Sequence, residues 1–312
     1  MRSLGKRVSG TLLQGFESLS LRQKKMDYID SKYFSYADPE DPILKKVLIR
    51  SIEYITGQPK LFKLYRRYQK NPNHWKSFWD GCIDLLKLKI NISDIDLDKI
   101  PTTGPAIVVA NHPFGVLDGL ILSWLVSQKR KDFKLLVHSL LLRAPETKGN
   151  LLPIDFTGDK KALLTNLDTR KKARKHISEG GCIIIFPSGT VSTTLKFYEK
   201  KSKAYDCEWK KFTSRLIKQT DPMIVPINFP GSNSLAFQLV SHFSAVLRSS
   251  LLFFEIRRRI NSEVPVYVGN SFKYSEIGED LSNEDLADML RTKTYLLDNN
   301  YVSAPPYGLD PD

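Results

Sequence analysis

The strongest constraint on this chain is a series of short, continuous apolar runs separated by stretches of helical length. The runs are Ala106–Ala110, Lys134–Val137, Leu151–Phe156, Cys182–Phe186, Met223–Ile227 and Val264–Val268. Most are flanked by Gly, Pro or Asn, and several are rich in β-branched residues. A strand with one wet face alternates apolar and polar residues; a run without alternation is covered on both faces. Segments long enough for helices lie between them, such as Asp159–Ser178 and Ser232–Arg248. This order predicts an α/β fold, with a mostly parallel or mixed central sheet covered by helices. Ser282-Asn-Glu-Asp285 has the form of a loose capping box and predicts a last helix to about Leu297.

Ahead of the sheet the pattern is helical. Leu44, Val47, Leu48, Ile52 and Ile55 share one helix face, and Trp75, Phe78, Trp79, Cys82, Ile83 and Leu86 share another. Asn71-Pro72-Asn73 separates them as a turn, so an N-terminal helical pair is expected. Residues 1–90 thus form a basic, amphipathic helical region, and residues 91–312 the main domain. Two readings of the pair stand side by side: a cap packed on the main domain, or an anchor lying in a membrane interface. The second suits Lys60-Leu-Phe-Lys-Leu-Tyr-Arg-Arg-Tyr68, where basic and aromatic residues interleave.

Charge narrows the partners. With 47 Lys+Arg against 34 Asp+Glu, the net charge of +13 favours an anionic partner, a lipid surface or a nucleic acid. Arg170-Lys-Lys-Ala-Arg-Lys-His176 and Arg257-Arg-Arg259 carry much of it. No helix-turn-helix, zinc-finger or RNP-like motif accompanies these charges, so no nucleic acid is expected. Cys82, Cys182 and Cys207 are far apart and form no metal-ligand pattern, which fits a reducing, cytoplasmic setting without a bound metal. No signal-peptide core opens the sequence, and no apolar stretch approaches the roughly 20 residues that span a bilayer. The expected localisation is therefore peripheral, on the cytoplasmic side of a membrane.

One segment carries the chemistry. The run Ala106–Ala110 ends in Asn111-His112, a turn follows at Pro113 and Gly115, and Asp118 stands near the start of the next apolar helix. In open α/β sheets, functional groups gather where strands end. A turn and part of a helical turn bring the His112 and Asp118 side chains within hydrogen-bond reach. Asp118 would then hold one ring nitrogen and leave the other as a base. A second strand, Cys182–Phe186, leads into Pro187-Ser188-Gly189-Thr190, whose amides and hydroxyl suit an anion or oxyanion.

In order, these segments resemble the glycerolipid acyltransferase superfamily. Its first block, a His and an Asp with four residues between them, resembles His112 and Asp118. Its third, Phe-Pro-Glu-Gly-Thr-Arg-Ser, resembles Phe186-Pro-Ser-Gly-Thr-Val-Ser192. Its fourth is similar to Ile224-Val-Pro-Ile227, and its second to Leu142-Arg143 followed by Leu152-Pro-Ile-Asp155. Two departures stand out. Five residues separate His112 from Asp118, and Ser188 and Val191 replace the third block's Glu and Arg. The longer spacing resembles a haemolysin-related branch that includes acyltransferases of amino-acid-containing lipids.

The resemblance implies an O-acyltransferase moving a fatty acyl group from an acyl thioester, acyl carrier protein or coenzyme A, to a lysolipid hydroxyl. His112 would be the general base and Asp118 its orienting partner. Asn111, Gly115, Arg143, Pro187, Ser188, Gly189 and Thr190 would contact substrate. Beyond the thioester no cofactor is implied. Two other readings remain open at this point: a basic nucleic-acid-binding protein, and a non-catalytic membrane-docking protein that keeps the fold.

Overall fold

The computed structural model describes residues 35, 37, 41–138, 144–155, 159–196, 203–278 and 280–310. Helix α1 (Ile43–Thr56) is followed by α2 (Gln58–Lys70) and α3 (Phe78–Leu85). The first expected helix is thus two. The chain breaks at Gly57, whose φ of 132° suits glycine alone, and a Cβ there would stand 2.5 Å from Cδ of Arg257. Pro59 opens α2, where its missing N–H costs nothing. Ser77 caps α3 by accepting from the Asp80 amide.

The expected apolar face of α1 points away from the protein. Leu44 is 85% and Ile55 75% exposed, whereas Ile49 and Glu53 of the same helix are buried. Trp79, by contrast, lies in the core beside Phe133 rather than at a surface. Helix α3 is also tied to the main domain by the Trp124 indole, which donates to Asp80 at 2.9 Å.

Next come β1 (Lys89–Asn91), α4 (Asp94–Asp98), β2 (Ala106–Ala110), α5 (Val116–Lys129), β3 (Phe133–His138), β4 (Leu151–Ile154), α6 (Lys160–Ser178) and β5 (Cys182–Ile185). They lead to β6 (Thr193–Thr194), β7 (Ala204–Tyr205), α7 (Lys211–Thr220) and β8 (Met223–Asn228). Then follow α8 (Leu235–Ser241), α9 (Ala245–Ser250), α10 (Leu252–Arg258), β9 (Glu263–Pro265), β10 (Tyr267–Val268) and α11 (Asn283–Tyr295). The main sheet has six strands in the order β10-β8-β2-β5-β3-β4. Only the β10–β8 pair is antiparallel, so the sheet is mixed.

Both faces of the sheet are covered, as runs without alternation require. On one face Val108, Ala110, Ile184 and Val225 pack against Leu117, Ile121 and Leu125 of α5 and Trp79 of α3. On the other, Ile107, Val109, Ile183 and Ile224 meet Ile177 of α6, Leu216 of α7 and Leu290 of α11. Two expectations change in detail. Val264–Val268 is not one strand: β9 pairs with β1 and β10 with β8, the switch falling beside Pro265, which has no amide to donate. Ser232–Arg248 is not one helix either, because Ser234 and Ser244 cap two short ones, α8 and α9.

Candidate active site

Strands β2 and β5 are parallel neighbours, with Val109 level with Ile185. The loops that follow them therefore leave the same edge of the sheet, carrying His112 from one strand and Phe186 from the other. The two rings stack with centroids 4.0 Å apart. On the other side of β2, Ala110 is level with Ile227 of β8. Asn111 joins these strand ends: its carboxamide donates to the Phe229 carbonyl at 2.9 Å and accepts the Phe229 amide at 2.7 Å. Both polar ends of Asn111 are thus committed to backbone, a clasp rather than a substrate contact.

Gly115 makes the turn. Its φ of 70° and ψ of −125° lie where a side chain is strained, and a Cβ would stand 2.8 Å from Leu252. That turn aims the Phe114 and Gly115 amides at one oxygen of Asp118, at 2.8 and 3.0 Å. The same oxygen, Oδ2, lies 3.1 Å from Nδ1 of His112, a contact whose angle falls short of a well-aligned hydrogen bond. Asp118 is wholly buried, while the His112 side chain keeps 17% of its surface. Nε2 of His112 has no partner among the described residues.

Burial pushes the Asp118 carboxyl above its ordinary range. The contact with His112, the Phe114 amide and the charge of Arg259 pull the other way. Arg259 lies over the Phe114 ring, its guanidinium carbon 3.5 Å from the ring centroid. Sequence reasoning counted Arg259 only as part of a basic run, since nothing local distinguishes it from Arg257 and Arg258.

A second buried carboxylate was missed altogether. Asp206 follows β7 and is fully buried. It accepts the His112 amide at 3.1 Å, the Ser192 hydroxyl at 2.5 Å and the Trp209 indole N–H at 2.9 Å. The Ser192 amide in turn donates to the His112 carbonyl at 2.9 Å. The backbone of His112 is therefore gripped at both its N–H and its C=O. Burial raises the Asp206 carboxyl as well, opposed by those three donors.

The loop after β5 divides its work. The Pro187 carbonyl accepts the Lys210 amide, and the Ser188 hydroxyl donates to the Thr190 carbonyl at 2.9 Å. The Gly189 amide closes a turn onto the Phe186 carbonyl, so it is not free for an oxyanion. Among the described residues neither the Thr190 amide nor its hydroxyl is used, and the Ser188 and Val191 amides are likewise uncommitted, so the loop keeps several donors. Arg143 lies outside the described residues. Val191, which stands in place of the family's arginine, gives its carbonyl to Arg248.

A family model described as Acyltransferase matches residues 91–229, a span that runs from β1 to just past β8 and holds the His112–Asp118 pair. Residues 91–229 are thus similar to an acyltransferase domain, in keeping with the resemblance to the glycerolipid acyltransferase superfamily. Two similar proteins are lyso-glycine lipid O-acyltransferases. One, of Phocaeicola vulgatus, is 28% identical over 206 residues, 65% of this chain and 68% of that protein. The other, of Bacteroides thetaiotaomicron, is 27% identical over 158 residues, half of this chain and 54% of that protein. The crystal structure of the 1-acyl-sn-glycerophosphate acyltransferase PlsC of Thermotoga maritima covers 82% of this chain and 96% of its own, at 14% identity and a TM-score of 0.40.

Proposed function

We propose that this acyltransferase moves a fatty acyl group from an acyl thioester to the hydroxyl of a lysolipid, with His112 as general base. The observation that carries the reading is the His112–Asp118 contact at the open edge of the sheet. With Nδ1 held beside the carboxylate and Nε2 without a partner among the described residues, Nε2 can take the acceptor's hydroxyl proton. The oxygen attacks the thioester carbon, the new C–O bond forms, and the C–S bond breaks as the tetrahedral intermediate collapses. His112 returns its proton to the departing thiolate. No protein nucleophile is needed because a thioester is already activated. Phe186, stacked on the imidazole, limits the ring's rotation, and Thr190 supplies donors for the developing oxyanion.

An amino-acid lysolipid is the favoured acceptor, since two similar proteins bear the name lyso-glycine lipid O-acyltransferase. The donor is an acyl carrier protein or coenzyme A thioester. The test is incubation of purified protein with labelled acyl thioester and a panel of lysolipids, the product being identified by mass. Transfer that persists at full rate in His112→Ala would end the mechanism.

In this reading the product is a lipid with one more acyl chain than its acceptor, which partitions into a membrane. No described helix is long and apolar enough to cross a bilayer. We infer a peripheral site on an anionic, cytoplasmic membrane face, met by α1. That helix exposes Ile43, Leu44, Val47, Leu48 and Ile55 and also carries Lys45, Lys46 and Arg50. Liposome flotation reads this directly: Leu44→Glu with Leu48→Glu should lose binding to anionic vesicles.

A further inference from the structure

Recognition of the acceptor's headgroup is not accounted for by the residues above. The third block has Val191 where the family carries an arginine, and Arg143 lies outside the described residues, so among the described residues a cation for an anionic headgroup is sought elsewhere. Arg248 approaches that loop, but its guanidinium is committed to the Val191 carbonyl and lies over Phe237. Arg259 is differently placed. It reaches the active site from the end of α10, stacks on Phe114, and feels the charge of Asp118.

Its donors are mostly unspent. Nη2 donates to the Ser232 carbonyl at 2.9 Å, while Nε is buried without a partner and Nη1 bonds to no described residue. Among the described residues no carboxylate lies within ion-pair range of Arg259. Glu255, on the preceding turn, is taken up by Ser234 and Arg258. Asn233, next to the Ser232 that Arg259 holds, is only 4% exposed, yet both polar atoms of its carboxamide lack partners. Buried polar groups are almost always satisfied, and unmet ones call for a partner that is not protein. An uncommitted guanidinium near Asp118, and an unmet carboxamide next in the chain to the residue it holds, are matched chemically by an anion with several acceptor oxygens.

We propose that Arg259 and Asn233 bind the anionic headgroup of the acceptor lipid, a carboxylate or a phosphate, and so set its hydroxyl against His112. The proposal rests on the acyl-transfer reading and extends it to acceptor choice. The Gly231 turn supports the arrangement: its φ is 123°, and a Cβ there would press on the Phe114 ring at 2.9 Å. Phe114 is thus wedged between the loop that carries Asn233 and the guanidinium of Arg259.

The experiment compares wild type, Arg259→Gln, Arg259→Lys and Asn233→Ala at saturating acyl thioester. Three acceptors are used: a glycine lysolipid, lysophosphatidate and uncharged monoacylglycerol. Arg259→Gln should raise the KM for the anionic acceptor about 10- to 100-fold, the range for a lost charge-assisted hydrogen bond, and erase the preference over monoacylglycerol. Arg259→Lys should fall between, keeping the charge but losing the fork. Asn233→Ala should act in the same direction without loss of thermal stability, because its amide breaks no internal hydrogen bond. The better of the two anionic acceptors tells carboxylate from phosphate. An equal fall in kcat on all three acceptors, with the KM for the anionic ones unchanged, would overturn the proposal. Should wild type acylate none of them, equilibrium binding of the two anionic lysolipids separates the claims. Binding lost in Arg259→Gln then upholds the subsite while the transfer reading fails; equal binding in both removes it.

Discussion

Replacing Asp206 with alanine should damage both the fold and the chemistry, by amounts that can be worked from its contacts. The carboxylate is fully buried and accepts three donors: the His112 amide, the Ser192 hydroxyl and the Trp209 indole. Alanine strands all three in a dry interior. Breaking a buried polar network of this kind costs about 3 to 5 kcal/mol, a large part of a typical stability of about 5 to 15 kcal/mol. For a chain of 312 residues that is a fall in Tm of about 5 to 8 °C. Asparagine keeps the shape and strands only one donor, so Asp206→Asn should lose about 1 to 3 kcal/mol.

Catalysis should suffer beyond stability. The His112 amide is one of two backbone anchors that hold its ring at 3.1 Å from Asp118. A displacement of about 1 Å at a catalytic group costs on the order of 10²-fold in rate, so kcat well below the melting temperature should drop accordingly. Denaturant melts and initial rates read the two effects separately. The decisive control is Trp209→Phe, which removes one of the donors. If Asp206→Asn costs as much in that background as in wild type, the hydrogen bond to Trp209 is not the source, and the reasoning is refuted.

Asp118→Asn should lower kcat by about 10²- to 10⁴-fold, the usual worth of general base catalysis, while raising stability at neutral pH. The sign follows from burial: a carboxyl whose folded-state pKa is raised carries a cost when ionised, absent below its unfolded pKa near about 4 and full above the folded value. The gain in Tm should therefore fade as the pH falls towards 4, which thermal melts across pH would check. Gly115→Ala should cost about 1 to 3 kcal/mol from its positive φ and slacken the turn that aims two amides at Asp118. A variant that melts and turns over like wild type would show that the turn has another conformation available. Flotation of the Leu44→Glu, Leu48→Glu variant should fail on anionic vesicles, and wild-type binding should weaken as salt rises.

Much of this protein was legible from the sequence because the relevant physics is local. Apolar runs without alternation gave the sheet's strands, since a strand covered on both faces has no polar position to show. The His112–Asp118 pair could be read for the same reason: one turn, shaped by Pro113 and Gly115, links both residues. The break between α1 and α2 was hidden, because the space that excludes a side chain at Gly57 is filled by Arg257, which also bonds the Thr56 carbonyl from about two hundred residues away.

Tertiary structure alone decided what holds and surrounds the pair. Asp206 stands 94 residues from the amide it accepts, and Asn111 lies 118 residues from the backbone it clasps. Those meetings follow from the strand order β8-β2-β5, which brings three separate loops to one edge. Arg259 is indistinguishable in sequence from its two basic neighbours; only the packing of α10 separates the one that meets Phe114 from the two that stay exposed. Likewise, the periodicity of α1 announced an apolar face but could not say which way it points, because amphipathicity fixes a stripe on a helix and not the neighbour that covers it.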